Sequence, residues 1–233
     1  MFEILSNLDY TPFVISLKLS LIATFVLFCI CVPLAFFMAR KNFRGKSVIE
    51  SIISLPLVLP PSVLGFYLLV FLSPYSVLGE FFDKHFGLRL VFNFSGLVIA
   101  SCIYSLPFMF SPLVSGFRSL PRSLFWACDS LGKGYFSKLF RVALPAIRHS
   151  LLSALVICFA HTMGEFGVVL MIGGSVSEQT KVASIAIYEA TETLDFAQAH
   201  AYSALMLLFS FAVLLIMHFF GRKRRKNTSL NRL

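Results

Sequence analysis

Five stretches of this chain are each apolar for about 20 residues or more, the length a helix needs to cross a hydrocarbon core of ~30 Å. They cover about residues 13–39, 48–72, 94–116, 150–172 and 197–220. Of the 233 residues, 58% are hydrophobic and only 13% charged. Soluble domains hold roughly twice that share of charge. Composition therefore excludes a disordered tail, a secreted disulfide scaffold and an ordinary cytosolic enzyme. The expected fold is an all-α membrane protein with five transmembrane helices.

Two of the stretches carry prolines: Pro56, Pro60 and Pro61 in the second, Pro107 and Pro112 in the third. A proline lacks the backbone donor and frees a carbonyl that lipid cannot satisfy. These two helices are expected to be kinked, packed within a bundle and beside a cavity. A tolerated kink without a role is the alternative for any one of them.

The formal charge is +9, which in a soluble protein would suggest nucleic acid. Its distribution says otherwise. All Lys and Arg except Lys18, Lys84, Arg89 and Lys181 fall between stretches one and two, between three and four, or after five. The positive-inside bias makes those segments cytoplasmic, with the N-terminus outside and the C-terminus inside. An odd number of spans agrees. Glu3, Asp9, Glu80, Asp83, Glu178, Glu189, Glu192 and Asp195 fall on the external side. The basic run at 222–226 reads as a topology determinant touching anionic lipid. Residues 1–221 are expected to form the transmembrane domain, with the basic segment 117–149 as its cytoplasmic loop, and 222–233 a basic cytoplasmic tail.

The first stretch lacks a basic n-region and ends in a basic cluster, so it reads as a retained helix rather than a signal peptide. Cys29, Cys31, Cys102 and Cys158 lie within spans and Cys128 on the reducing side. No disulfide framework or metal spacing emerges. Catalytic motifs are absent too. Gly45-Lys46-Ser47 has the tail of a P-loop, but Arg40 stands where its first glycine belongs. No cofactor is expected on this chain, and uphill transport would require an ion gradient or a separate ATPase.

The basic segment 117–149 is expected to form two short helices. Pro121 suits a first helical position, and Leu124, Phe125, Cys128 and Leu131 recur at helical spacing. Gly132 and Gly134 turn the chain, after which Tyr135, Phe136, Leu139 and Phe140 share a second apolar face. Such a loop lies on anionic headgroups or inserts its apolar side into a groove of a cytoplasmic partner.

Residues 126–145, WACDSLGKGYFSKLFRVALP, resemble the cytoplasmic EAA loop of ABC importer permeases. Ala127, Gly132, Leu144 and Pro145 fall on the pattern and Val142 replaces its Ile, while Trp126 and Cys128 depart from Glu and Ala. The resemblance implies a type I importer fold and a coupling helix seated in an ATP-binding subunit. Residues 54–69, with an LP-x-x-LPP core, and 163–192, with Gly164-Glu165-Phe166-Gly167, resemble the corresponding regions of molybdate permeases. Sulfate and tungstate permeases share much of this layout. The resemblance implies a homodimer in the bacterial cytoplasmic membrane, joined by two ATPase subunits that hydrolyse ATP and a periplasmic molybdate-binding protein.

Glu165 is the carboxylate placed well inside a span. Its charge in lipid would cost on the order of 2.5–3.5 kcal/mol, so it must face the bundle, pair or be protonated. His161, four residues earlier on the same helical face, is the expected partner. Gly164 and Gly167 would admit a neighbouring helix. Glu165, Phe166 and the glycines, with Pro60 and Pro61, are expected to shape or gate the translocation path, against the plainer role of a packing anchor. Because like charges repel, Glu165 is not expected to bind an oxyanion directly. A proton-coupled carrier using His161 and Glu165 is the rival reading, and a structural scaffold the third.

Overall fold

The computed structural model describes residues 8–222, with side chains through residue 215. The run 222–226 lies outside the described residues apart from the backbone of Arg222. Among the described residues there are helices and no strands. Helix α1 (Thr11–Arg40) begins where Asp9 accepts a hydrogen bond from the Thr11 amide, 2.9 Å away, and runs through Pro33. At ~1.5 Å per residue it is longer than the hydrocarbon core is thick. Its buried face (Ile15, Leu19, Ala23, Leu27, Cys31) packs along α5 (Phe94–Arg118). Asn93 caps α5, and Pro107 and Pro112 lie inside it without ending it.

The second apolar stretch is not one kinked helix. It divides into α2 (Lys46–Ser54), a 3₁₀ turn (Leu55–Leu57) and α3 (Pro61–Leu72), with a bend of 109° between the two halves. The cause is local. A proline excludes the helical region for the residue before it, and Pro61 holds Pro60 at ψ 137°. Beyond α3, Ser76 caps a short helix, α4 (Val77–Phe86), which ends at Gly87 in the left-handed region. This helix was not foreseen from sequence.

The loop after α5 folds into α6 (Arg122–Ser130) and an irregular helix, α7 (Tyr135–Ala146), whose middle is π-helical. Pro121 stands one position outside α6, as its cap. Gly132 supplies a φ of +64° between the two helices, a conformation that favours glycine. An 83° bend leads into α8 (Arg148–Met163). The fourth apolar stretch then breaks again, at residues 164–166, before α9 (Gly167–Gly173). Glu165 therefore sits in a non-helical linker, not on a helix face. Helices α10 (Ala183–Glu192) and α11 (Phe196–Arg222) pack on each other and complete the chain.

Three helical segments are long and apolar enough to cross a membrane, Thr11–Arg40, Phe94–Arg118 and Phe196–Leu215, or up to five if each bent pair counts as one. The main core gathers Leu27, Phe36, Met109, Leu113, Phe117, Phe125 and Leu139. It ties the α6–α7 knob to the ends of α1 and α5. A second cluster at the other end joins Leu72, Leu90, Val168 and Ile172.

Candidate functional site

The two broken stretches meet each other. A Cβ on Gly167 would lie 2.7 Å from the Cβ of Pro61, and one on Gly65 would lie 2.9 Å from the Cβ of Met171. Glycine at both positions lets α3 and α9 approach until backbone and side chain touch. Gly164 plays a different part, since the nearest atom to its Cβ would be Ala160 O at 3.6 Å. It ends α8 rather than admitting a neighbour.

Where the two breaks adjoin, a cleft of about 640 Å³ opens. Pro61 and Ser62 line it from α3, Tyr104 from α5, Ala160 and His161 from α8, and residues 164–167 from the linker and the start of α9. Of the proposed gate residues, Gly164, Glu165, Phe166, Gly167 and Pro61 border this space, while Pro60 is exposed beside it and outside the lining.

His161 does not pair with Glu165. Its Nδ1 lies 3.0 Å from Ser105 Oγ, which lies 2.9 Å from Thr162 Oγ1. Thr162 donates to the Cys158 carbonyl at 2.9 Å, and a carbonyl can only accept. The Thr162 hydroxyl therefore accepts from Ser105, leaving the Ser105 oxygen to accept from His161 Nδ1–H. The chain of bonds puts a proton on Nδ1. Phe108 stacks on the imidazole with centroids 3.8 Å apart, and Tyr104 packs at 4.9 Å.

Glu165 is 5% exposed, and neither carboxyl oxygen has a hydrogen-bond partner among the described residues. Ser101, one helical turn from Ser105 on α5, is near it, and its hydroxyl is likewise buried with no hydrogen-bond partner among the described residues. The backbone of Glu165 is better held, its carbonyl accepting from Ser184 Oγ at 2.7 Å. No lysine or arginine among the described residues lines the cleft. Among the described residues no group of His, Cys, Asp and Glu is placed to hold a metal. Ser101, Ser105, Thr162 and Ser184 were missed from sequence. The signal was the spacing of Ser101 and Ser105 by four within an apolar run.

The second candidate region is the α6–α7 knob. Phe125 and Cys128 turn inward, but Leu131 is 72% exposed and Trp126 65%. The α7 face also divides: Leu139 is fully buried, whereas Phe136 and Phe140 point outward and stack at 9° between ring planes. Ala127, Gly132 and Pro145 are exposed, and Val142 and Leu144 half-buried. Phe36 of α1 anchors the knob, with ring centroids at 5.2 Å from Phe117, 5.9 Å from Phe125 and 5.2 Å from Tyr135. The Tyr135 hydroxyl donates to the Pro33 carbonyl at 3.0 Å. The Arg40 guanidinium lies 3.6 Å over the Phe125 ring. An ion pair of Lys138 with Asp129 closes the knob, and one of Arg118 with Glu50 ties α5 to α2.

Comparison with known proteins agrees with this architecture. The chain is 40% identical over 215 residues to the molybdenum transport system permease protein ModB of Azotobacter vinelandii, covering 92% of this chain and 95% of that one. It is 30% identical over 183 residues to a probable sulfate transport system permease protein cysT of Chlorella vulgaris, covering 78% of this chain and 68% of the other. In fold it resembles a solved bacterial ABC transporter involved in import of the acidic polysaccharide alginate. That match has a TM-score of 0.72 and 18% identity, over 91% of this chain and 80% of that one. Residues 31–226 match the family of binding-protein-dependent transport system inner membrane components; with its apolar helices and broken spans, this chain is a multi-pass bacterial inner membrane protein belonging to that family.

Proposed function

We propose that this chain is the membrane-spanning subunit of an ATP-driven importer that carries molybdate across the cytoplasmic membrane. The observation that carries the substrate is the 40% identity over 92% of the chain to a molybdenum permease. The cleft between the two broken stretches is assigned to the translocation path, with Gly164, Glu165, Phe166, Gly167, Pro60 and Pro61 as its gate. It opens on the surface of one copy, so a second copy would close it. Its lining among the described residues offers hydroxyls, an imidazole and the Glu165 carboxyl but no lysine or arginine. An oxyanion would pass such a surface without being trapped, and selectivity would lie with a periplasmic binding protein.

The knob is assigned to coupling. Trp126, Ala127, Cys128, Gly132, Val142, Leu144 and Pro145 mark it, and its exposed Trp126, Leu131, Phe136 and Phe140 form the apolar patch a partner groove would cover. Two ATPase subunits docked there would bind and hydrolyse ATP, drawing the two knobs together and opening the opposite end. The basic residues of the knob support a cytoplasmic position for it and an N-terminus on the outer side.

The test is uptake and ATP hydrolysis by the complex reconstituted with its ATPase and binding protein, offered molybdate, tungstate or sulfate. Molybdate-dependent stimulation is expected. Stimulation by sulfate alone would establish the second reading, which the Chlorella relative favours. Uptake that continues without ATP would refute both in favour of a proton-coupled carrier. That carrier would need a His161–Glu165 relay, yet His161 is engaged by Ser105.

A further inference from the structure

We infer that α4 (Val77–Phe86) is an interfacial helix that lies in the headgroup layer of the leaflet opposite the α6–α7 knob. The helix divides into three sectors. Phe82 and Gly79 face inward: Phe82 packs against the Leu72–Leu90 cluster, and a Cβ on Gly79 would sit 2.0 Å from Ser73 O. Glu80, Asp83 and Lys84 occupy a second sector, where Lys84 pairs with Glu80 and Arg89 reaches Asp83 at 3.9 Å. The third sector is bare and apolar apart from His85, which stacks on Phe81 with ring centroids 4.5 Å apart; Val77 is 86%, Leu78 49% and Phe81 48% exposed.

Several observations identify what covers that sector. The helix cannot swing away from the end of α3. Ser76 Oγ donates toward Phe71 O at 2.5 Å and Ser73 O at 2.8 Å, and accepts from the Gly79 amide at 2.9 Å. The bare sector is thereby held as a continuation of the exposed α3 surface, Tyr67, Val70 and Phe71, through Tyr75, which is 99% exposed. In a membrane protein that α3 surface meets apolar surroundings, and the next layer outward is the interface that aromatic side chains favour. The charged sector carries self-neutralising pairs, so water is its proper neighbour and a charged protein partner gains little from it. An apolar face, a paired polar face and anchorage at a span's end together describe a helix lying in the plane of the interface.

The inference rests on the chain being a membrane protein and not on the identity of its substrate. The chain has a single tryptophan, Trp126, so W126F gives a silent background. Into it Phe81→Trp, Val77→Trp and, as a control on the charged sector, Lys84→Trp are introduced separately. Each full chain is reconstituted into phosphatidylcholine vesicles carrying lipids brominated at shallow or deep acyl positions. Tryptophan at 77 and 81 is expected to emit at shorter wavelength than at 84. It should lose most of its emission to shallow bromines and little to aqueous acrylamide, with the reverse at 84. Acrylamide quenching at 77 and 81 equal to that at 84 would overturn the inference, leaving the face in water. Protection from both quenchers would overturn it too, because a second copy or another part of the chain would then cover the face. Two reporters on one face keep the result decisive if either substitution fails to fold.

Discussion

Pro61 and Gly167 touch where two broken helices cross, with the proline Cβ 2.7 Å from the place a side chain on residue 167 would begin. Both stand at breaks: Pro61 opens α3 after a 109° bend, and Gly167 opens α9 after the Glu165 linker. Gly167→Ala is therefore expected to push α3 from α9 at a cost of about 1–3 kcal/mol, lowering the melting temperature in detergent and slowing uptake. Gly164→Ala is the matched comparison. Its φ is −92° and its Cβ would meet nothing nearer than 3.6 Å, so it should melt within a degree or two of wild type.

His161 is held as the Nδ1–H tautomer by the run through Ser105 and Thr162 to the Cys158 carbonyl. Ser105→Ala removes the acceptor and leaves a largely buried ring N–H unmatched, costing about 1–3 kcal/mol. Nitrogen-15 NMR of labelled histidine should show one Nδ1-protonated ring in the wild type that is lost in the variant. The same tautomer surviving in Ser105→Ala would show that the hydrogen-bond run does not set it.

Much of this was legible before the structure. The apolar stretches, the prolines that break the second, and the glycine between α6 and α7 each act through a local rule: transfer to lipid, a missing donor, a left-handed φ. The break at Glu165 was not legible, because no proline marks it and the flanking glycines suit either close packing or a helix end. Nor was the fate of His161. Spacing by four predicts a meeting with Glu165 only while the helix continues, and it ends at Met163, two residues before Glu165. The partner instead came from α5, 56 residues away in sequence, where no local pattern reaches. The α7 face failed for a related reason. Phe136 and Leu139 share a side in an ideal helix, but the π-helical segment shifts the register and leaves one exposed and one buried.

Phe36 carries three aromatic neighbours from three elements, Phe117, Phe125 and Tyr135, and with the Tyr135–Pro33 and Arg40–Phe125 contacts it couples the knob to α1. Phe36→Ala is expected to cost about 3–5 kcal/mol. Proteolysis should accelerate at the exposed turn around Gly132. Binding-protein stimulation of ATP hydrolysis in the assembled complex should fall more than basal hydrolysis, whereas Phe36→Leu should restore part of the stimulation. Equal loss of both rates would mean the cluster only holds the knob in place.

Lys181 and Glu189 form an ion pair at 2.5 Å at the start and end of the α10 region. Partial burial pushes the Glu189 carboxyl up, but hydrogen bonds from Lys181 and Ser175 outweigh it and hold the group below the usual carboxylate range. A depressed folded-state value stabilises the protein above the unfolded value, and that contribution is lost as pH falls through the folded one. The pair is about a third exposed and worth ~0.5 kcal/mol. Lys181→Met should therefore melt slightly earlier than wild type at neutral pH, with the two curves converging below the carboxylate range. A difference that persists in acid would assign the effect to packing of the lysine stem.

Glu165 places a carboxyl beside Ser101 with no cationic side chain in the cleft lining and no hydrogen-bond partner for either oxygen among the described residues. A group so enclosed contributes through the space it fills, and a charge there would have no cationic side chain beside it. Three substitutions separate the roles. Glu165→Gln keeps the size and offers an amide to Ser101, so it should melt at or above the wild-type temperature and transport within a few-fold of it. Glu165→Ala removes the filling atoms and is expected to lose about 2 kcal/mol, with uptake falling in proportion. Glu165→Lys introduces a long cationic side chain into this enclosed position and should abolish assembly into the membrane. If Glu165→Gln instead folds as wild type but transports nothing, the carboxyl group itself acts during translocation, and its place in the cleft beside His161 becomes the starting point for asking how.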